Sequence, residues 1–254
     1  MGGLAGYYNL IREISVSDFK LRYKNSTLGF VWVILEPLAM MSIMYVIFAR
    51  IVRIQIDNYQ LFLLIGLVQW QLFSRGTNSG INILVGRSDI LKKIYFPRKV
   101  MVFSACLTTL FMACFEMLIF LVMGLIFGLD FRPGLLWLVP LFLLEFVVIY
   151  TICLFLAPLN LRMRDLQNTW NIVIRMGFYL SPVLYSVDFI PERFRGLYLF
   201  NPMARIIHFT RHVVFPEANY IDHWFWPFVA LVLVLFIAAN LLFTKLEPRF
   251  GDYV

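Results

Sequence analysis

The chain has 254 residues, of which 61% are hydrophobic and only 15% are charged. Soluble globular domains carry about 45–50% apolar and about 25% charged residues, so the composition excludes an ordinary soluble enzyme and predicts an integral membrane protein. The formal net charge of +7 indicates membrane topology rather than nucleic-acid binding, because the basic residues cluster beside apolar stretches.

The first predicted element covers residues 18–38, which change from basic and half-apolar to fully apolar. Lys20, Arg22 and Lys24 alternate there with apolar side chains. A basic amphipathic helix that leads directly into an apolar one is typical of a chain that lies on a membrane face and then crosses it. We expect no cleavable signal peptide, because residues 1–29 contain no unbroken apolar core.

Six long apolar segments follow, and each reaches or nearly reaches the about 20 residues that a helix needs to span a bilayer. We predict spans over residues 30–51, 59–85, 100–128, 134–159, 169–187 and 224–243. The expected fold is therefore an all-α integral membrane protein of one domain, residues 1–254, with six transmembrane helices.

The basic residues set the predicted orientation. With both termini in the cytoplasm, most of the 22 lysines and arginines lie in the inner segments, as the positive-inside rule requires. The contrary feature is the outer segment 188–222, which carries several arginines. Its prolines divide it into two short amphipathic helices, near 190–199 and 203–215. We predict a re-entrant helical hairpin whose arginines lie at the headgroups or face a pore mouth.

The inner loop between the second and third spans contains a predicted short helix, residues 89–96. Ser88 and Asp89 favour a helix start, and Pro97 ends it. The helix is basic on one side and apolar on the other. Two interpretations stay open: a turn anchored at the lipid headgroups, or a docking element for a cytoplasmic partner.

Polar residues from Ser74 to Asn82 make the last half of the second span unsuited to lipid. The pair Gly76 and Gly80 favours close helix packing. This face is therefore either a hydrogen-bonded helix interface or the wall of a polar path. Aromatic residues at mid-span depth would suit the C–H faces of sugars, although core packing explains them equally. Candidate channel-lining residues are Trp70, Arg75, Asn78, Asn82, Tyr150 and Tyr179.

Other polar groups within the spans favour structural roles. Glu145 and Arg175 fall at similar predicted depth, so a pair between them would lower the cost of both charges. His208 and His212 are four residues apart, but no third ligand follows at suitable spacing, so we predict no metal site. We expect the three cysteines to be small buried apolar residues, at positions Cys106, Cys114 and Cys153. The sequence has no phosphate-binding loop motif, so it does not hydrolyse ATP by that machinery.

Five motifs, taken in order, carry a resemblance to a known family. They are DFKLRYKNSTLGFVWVILEPL (18–38), KKIYFPRKV (92–100), NLRMRDLQN (160–168), YLSPVLYS (179–186) and LFNPMARII (199–207). Over essentially its whole length the chain resembles the membrane subunit of type-2 ABC exporters for polysaccharides. That group includes O-antigen, capsule and teichoic-acid permeases, and the resemblance is closest to the O-antigen permeases.

The resemblance implies a homodimeric channel in the bacterial inner membrane, with each copy docked to a separate ABC ATPase subunit. ATP and Mg²⁺ would bind at that partner, so this chain would be a transport subunit and no enzyme, with no cofactor of its own. A lipid-linked polysaccharide would move outward from the inner leaflet. Residues 4–25 look like the interface helix of such permeases, 160–167 like a smaller inner contact and 188–222 like the outer gate hairpin.

The resemblance also assigns roles to residues. The coupling helix that would insert into the ATPase comprises Asp89, Ile90, Leu91, Lys92, Lys93, Tyr95 and Phe96. We expect the diphosphate of the lipid carrier near Arg22 and Lys24. Other readings are an exporter of a drug or lipid on the same scaffold, an autonomous channel or secondary transporter, and a membrane-embedded enzyme. The enzyme would need clustered Asp, Glu or His at one membrane face, which the sequence lacks.

Overall fold

The computed structural model of the protein describes residues 11–17, 19, 29–87, 97–163, 165–215 and 224–252. Helices and connecting turns make up these residues, with no β-strand among them. In chain order the α-helices are α1 (Val31–Tyr45), α2 (Tyr59–Gly86), α3 (Lys99–Ile126), α4 (Leu138–Arg162), α5 (Leu166–Tyr179), α6 (Glu192–Tyr198), α7 (Pro202–Val214) and α8 (Phe225–Leu246). A π-helical turn, Val46–Ile51, extends α1.

Helix α2 is the centre of the bundle. It packs against α1, α3, α4, α5 and α7, and every residue from Leu61 to Trp70 is buried. This position follows from its sequence, because the first half of α2 is apolar and the second half is too polar to face lipid. Burying α2 at the centre gives both halves protein neighbours.

Four stretches are long and apolar enough to cross a membrane: Val31–Ile51, Lys99–Ile126, Pro133–Arg162 and Phe225–Leu246. They agree within about three residues with four of the predicted spans, and the bounds of α2 agree equally well. Apolar side chains such as Leu125, Leu136 and Leu241 point away from the bundle, as contact with lipid requires. The membrane-embedded helical class is thereby confirmed, while the count of six spans stays a prediction.

The predicted span 169–187 is not one continuous helix. Helix α5 ends at Tyr179 after 14 residues, which is about 21 Å of helix and too short to cross the hydrocarbon core. The chain then turns through Ser181 and Pro182. Proline has no N–H to donate and disfavours helical geometry in the residue before it, so the YLSPVLYS motif ends the helix instead of continuing it.

Two short helices do form in the predicted outer hairpin, α6 and α7, while residues 216–223 lie outside the described part. Helix α7 is not a surface element, however. Nine of its 13 residues are buried, and it packs against α2 and α4. Arg205 and Arg211 are buried with it. Arg205 and Arg211 therefore do not lie at the lipid headgroups, and the expectation of a pore-mouth position stays a prediction.

The bundle has two distinct ends, which we name by their content. The hairpin end carries α6, α7 and the loop from Val52 to Asn58. The basic end is where α2 finishes at Gly86 and α3 begins at Lys99. There the backbone N–H of Arg98 donates to Glu247 Oε1 at 2.7 Å, and Lys99 Nζ donates to Thr244 Oγ1 at 2.7 Å. These contacts fasten the start of α3 to the end of α8.

Helical residues 11–17 belong to the predicted interface helix, most of which lies outside the described residues. Ile14 is buried in the core, and Ser15 Oγ donates to the Ser104 carbonyl on α3 at 3.3 Å. Of the cysteines, Cys106 and Cys153 are buried as expected, whereas Cys114 is exposed. An apolar thiol on the outward face of a lipid-contacting helix needs no burial in protein.

Candidate functional site

A half-exposed polar stripe runs along the second half of α2. Its members are Gln71, Arg75, Asn78 and Asn82, and their spacing of three or four residues places them on one helix face. The opposite face carries Gly76 and Gly80. A Cβ at Gly80 would lie 2.4 Å from Cys153 Sγ, so the small residues allow α2 and α4 to approach closely. Close packing on one side fits a helix interface, and the polar groups on the other side fit the wall of a polar path. Both interpretations of this segment therefore stay open.

Arg75 forms an ion pair with Glu116 of α3. The Arg75 side chain is 20% exposed and that of Glu116 is 0% exposed. Arg75 Nη2 also donates to Gln71 Oε1 at 2.9 Å. The pair lets a carboxylate reside inside the bundle, because a buried charge is tolerated when an opposite charge and hydrogen bonds compensate it. Part of the Arg75 side chain remains exposed on the polar stripe.

Amide side chains extend the stripe toward the basic end. Gln167 Nε2 donates to Asn78 Oδ1 at 3.2 Å, and Asn160 Nδ2 donates to Asn82 Oδ1 at 3.2 Å. Trp170 Nε1 donates to Thr77 Oγ1 at 3.0 Å. Asn160 and Gln167 both come from the NLRMRDLQN motif. The motif therefore supplies polar partners to α2, a role that the sequence reading did not assign to it.

The structure separates the six candidate lining residues. Arg75, Asn78 and Asn82 share the stripe, and Tyr179 is 68% exposed at the end of α5. Trp70 is buried, with its ring 5.9 Å from Phe178 and against Gly177. Tyr150 lies in an aromatic cluster with Phe103 and Phe146. Trp70 and Tyr150 therefore act as packing residues in the single chain, and the lining role of the others stays a prediction.

Glu145 and Arg175 do not form the predicted pair. Glu145 is 0% exposed inside α4, whereas Arg175 lies on the exposed face of α5. Similar depth along two helices does not make two side chains face each other, because the rotation of each helix about its axis also matters. No well-aligned donor in the described part reaches either carboxylate oxygen of Glu145, and the buried Gln69 of α2 is its polar neighbour.

At the hairpin end, the buried Arg211 holds three elements together. Its guanidinium donates to the carbonyls of Pro182, Tyr185 at 3.0 Å, Val183 at 2.7 Å and Phe62 at 3.1 Å. The same group lies 3.4 Å above the centre of the Phe62 ring. Carbonyl dipoles and an aromatic face thus stabilise this cation, and α7, α2 and the 180–186 turn are fixed relative to one another.

Further hydrogen bonds fix the same turn. Tyr59 Oη donates to the Leu184 carbonyl at 2.6 Å, and Asn201 Nδ2 donates to Ser181 Oγ at 3.0 Å. Asn201 Oδ1 also caps α7 by accepting from the Met203 N–H at 3.0 Å. Sequence reasoning missed Arg211, Tyr59 and Asn201. The signal available was Asn before Pro in LFNPMARII, which is the signature of a capped helix start.

A polar cavity of about 1310 Å³ lies beside this anchored turn. It is bounded by the π-helical turn, the 54–58 part of the following loop, the first turn of α2, residues 127–132, residues 186–189 and the last turns of α7. His208 and His212 face it, with their Nε2 atoms 3.2 Å apart. Burial, and next the neighbouring His212, lower the pKa of His208 to about 4, so its imidazole is neutral at pH 7.

Several predicted site residues lie outside the described part of the chain. These are the coupling residues Asp89, Ile90, Leu91, Lys92, Lys93, Tyr95 and Phe96, together with Arg22 and Lys24. Among the residues that are described, no three His, Cys, Asp or Glu side chains come together as a metal site.

A central helix with one polar half, buried in an apolar helical bundle, is an arrangement typical of membrane-embedded transport subunits. The chain belongs to the ABC-2 type transporter family, whose model matches residues 9–215. It is similar to two O-antigen export system permease proteins RfbA: 32% identical to one from Klebsiella pneumoniae, over 97% of this chain and 96% of the relative, and 29% identical to one from Myxococcus xanthus, over 98% and 96%. The polysialic acid transport protein KpsM of Escherichia coli is 22% identical over 81% of each chain.

Proposed function

We propose that this chain is the membrane half of an ATP-driven exporter that moves a lipid-linked polysaccharide of the O-antigen type across the bacterial inner membrane. The observation that carries the proposal is its similarity to O-antigen export permeases over nearly the whole length of both chains. The polar stripe of α2 supports it, because a hydrophilic glycan needs hydrogen-bonding groups within the membrane.

The same proposal includes the partners. Two copies of this chain form the channel, and each binds one separate ABC ATPase subunit that holds ATP and Mg²⁺. The absence of a phosphate-binding loop from the sequence supports a separate energy source. The coupling helix, residues 89–96, inserts into that subunit, while Arg22 and Lys24 bind the diphosphate of the lipid carrier at the inner face.

Orientation follows from charge. Both termini and the basic end lie in the cytoplasm, and the hairpin end faces outward. The excess of lysine and arginine beside the basic end supports this, since positively charged loops are retained on the cytoplasmic side. A capsule polysaccharide is the second candidate substrate, favoured by the similarity to the polysialic acid transport protein.

The test is co-purification of the chain in detergent with the ATPase encoded beside it. We expect a stable complex of two plus two subunits. Changing Asp89, Ile90 and Tyr95 together to alanine should release the ATPase or uncouple its hydrolysis from export. Glu192→Ala is the control, because this residue lies exposed on α6 at the hairpin end, away from both predicted ATPase contacts. A chain that binds no ATPase and transports alone in liposomes would replace the exporter by a secondary transporter or channel.

The diphosphate assignment has a separate measurement. Arg22→Glu combined with Lys24→Glu should reduce surface polysaccharide strongly, because like charges repel the carrier diphosphate. Unchanged export by this variant would remove the assignment and leave the exporter itself in place.

A further inference from the structure

We infer that the polar cavity at the hairpin end is a binding site for a sugar segment of the exported polysaccharide. This inference rests on the proposed function, which identifies the polysaccharide as the substrate. It adds a second binding region for that substrate, separate from the polar stripe of α2. The site lies at the end of the bundle opposite the basic end, where the glycan would leave.

The first support is size. At about 1310 Å³ the cavity exceeds the about 300–1,000 Å³ of ordinary small-molecule pockets. It has room for several linked sugars rather than one. An ion or a single headgroup would leave most of it filled by water.

The second support is the charge of its lining. Among the described residues around the cavity, three arginines (Arg50, Arg132 and Arg211) face three aspartates (Asp57, Asp130 and Asp188), and His208 is neutral at pH 7. The formal charges of these six side chains therefore balance, and His212 lines the cavity beside His208. A site for a diphosphate would need net positive charge, and a site for an acyl chain would need an apolar lining. A balanced polar lining fits a neutral or zwitterionic ligand rich in hydroxyl groups.

The third support is the kind of polar group present. Gln55, Asn58 and Gln60 offer planar amides, each with donors and an acceptor. Phe127 and Phe189 add aromatic surface on the same lining, and C–H faces of sugar rings pack well on such surface. Hydroxyl groups need both donors and acceptors, and this lining supplies both.

The fourth support is that one wall is already rigid. Arg211 and Tyr59, which border the cavity, fix the 180–186 turn through backbone carbonyls. Ser186 Oγ donates to Asp188 Oδ2 at 2.5 Å, which holds that carboxylate at the cavity edge. A site formed before its ligand arrives loses less entropy on binding.

The test measures binding of a fluorescent probe to the chain and its ATPase in nanodiscs. The probe is the polysaccharide of the source strain, cleaved from its lipid by mild acid and shortened to a few repeats. Fluorescence anisotropy should show saturable binding to the wild type. Asp57→Ala combined with Asp188→Ala removes two hydrogen-bonding groups and should weaken binding about tenfold. Glu192→Ala, an exposed change on neighbouring α6, should leave the affinity unchanged.

Besides a wild type that binds no probe, two results would overturn the site. One is equal affinity of the wild type and the double variant, and the other is displacement of the probe by inorganic pyrophosphate, which would reveal an anion site. If the double variant fails to assemble, Asp57→Ala and Asp188→Ala are tested one at a time, and each should weaken binding about threefold because it removes one of the two hydrogen-bonding groups. Surface polysaccharide in cells is scored separately. If the wild type exports polysaccharide but binds no probe, the proposed site is wrong and the exporter function stands. If it binds the probe but exports nothing, the site stands and the exporter function is wrong.

Discussion

Arg75 belongs to the second half of α2 and Arg211 packs against the first half, and different groups stabilise their charges. Arg75 pairs with the buried carboxylate of Glu116 and keeps 20% of its side chain exposed. Arg211 is buried and donates to backbone carbonyls of α2 and the 180–186 turn. Its cation also stacks on the Phe62 ring.

The comparison separates a structural cation from an accessible one. A guanidinium bound by several fixed carbonyls holds its neighbours in one arrangement, because moving any of them leaves a buried polar group unpaired. A guanidinium paired on one side only can still meet a passing ligand. We therefore assign Arg211 to the architecture of the hairpin end, whereas the role of Arg75 in lining a polar path stays a prediction that its exposed surface supports.

The largest effect should come from Arg211→Ala. It leaves buried carbonyls without donors and opens a cavity under α7, which should cost about 3 kcal/mol or more of stability. The measurement is the temperature at which half of the detergent-solubilised protein aggregates. Arg193→Ala is the control, because Arg193 is exposed on α6. A similar midpoint for both variants would show that Arg211 does not hold the hairpin end.

The next effect should come from Arg75→Gln, which leaves the Glu116 carboxylate buried without its cation. We expect a loss of about 2–3 kcal/mol, and a partial recovery when Glu116→Gln is added, since two neutral amides need no charge compensation. The full thermodynamic cycle is measured by reversible denaturant unfolding in detergent micelles, which gives the free energy of each variant. Additive losses in the double variant would mean that the two side chains are not coupled.

Much of the helical architecture follows from the sequence because lipid offers no hydrogen-bonding partners to the backbone. An apolar run such as 100–128 must be helical and must be about 20 residues or longer, and α3 indeed covers Lys99–Ile126. The end of α5 was predictable only with hindsight from Pro182, since proline within membrane helices is common.

The partners of buried charges could not be predicted in the same way. Counting residues gives depth along a helix, at about 1.5 Å per residue, which placed Glu145 and Arg175 together. Which face of each helix meets a neighbour depends on the packing of the whole bundle, and packing pairs Arg75 with Glu116 instead. For α7, an amphipathic pattern fits a membrane surface, yet here its arginines turn inward to backbone carbonyls that no sequence pattern reveals.

A smaller effect is expected from Gly66→Ala, which probes the Arg211 anchor from α2. The new Cβ would lie 2.6 Å from Arg211 Nη2 and 3.0 Å from the Val183 carbonyl oxygen. Since both atoms are held by hydrogen bonds, the substitution should cost about 1–3 kcal/mol. Gly196→Ala is the matched helical control, because nothing lies within 4 Å of its Cβ position. Equal stability of the two variants would show that the Arg211 contacts adjust to the added methyl group at little cost.

The smallest change in stability is expected from Glu145→Gln, and its sign is informative. Glu145 is as buried as Glu116, but it has no cation beside it among the described residues, and its polar neighbour is the neutral Gln69. Replacing an uncompensated buried acid by a neutral amide of the same shape should leave stability unchanged or raise it by up to about 1 kcal/mol. Glu116→Gln, which weakens an existing ion pair, should lower it. A clear loss in Glu145→Gln would instead assign that carboxylate a partner in the assembled transporter.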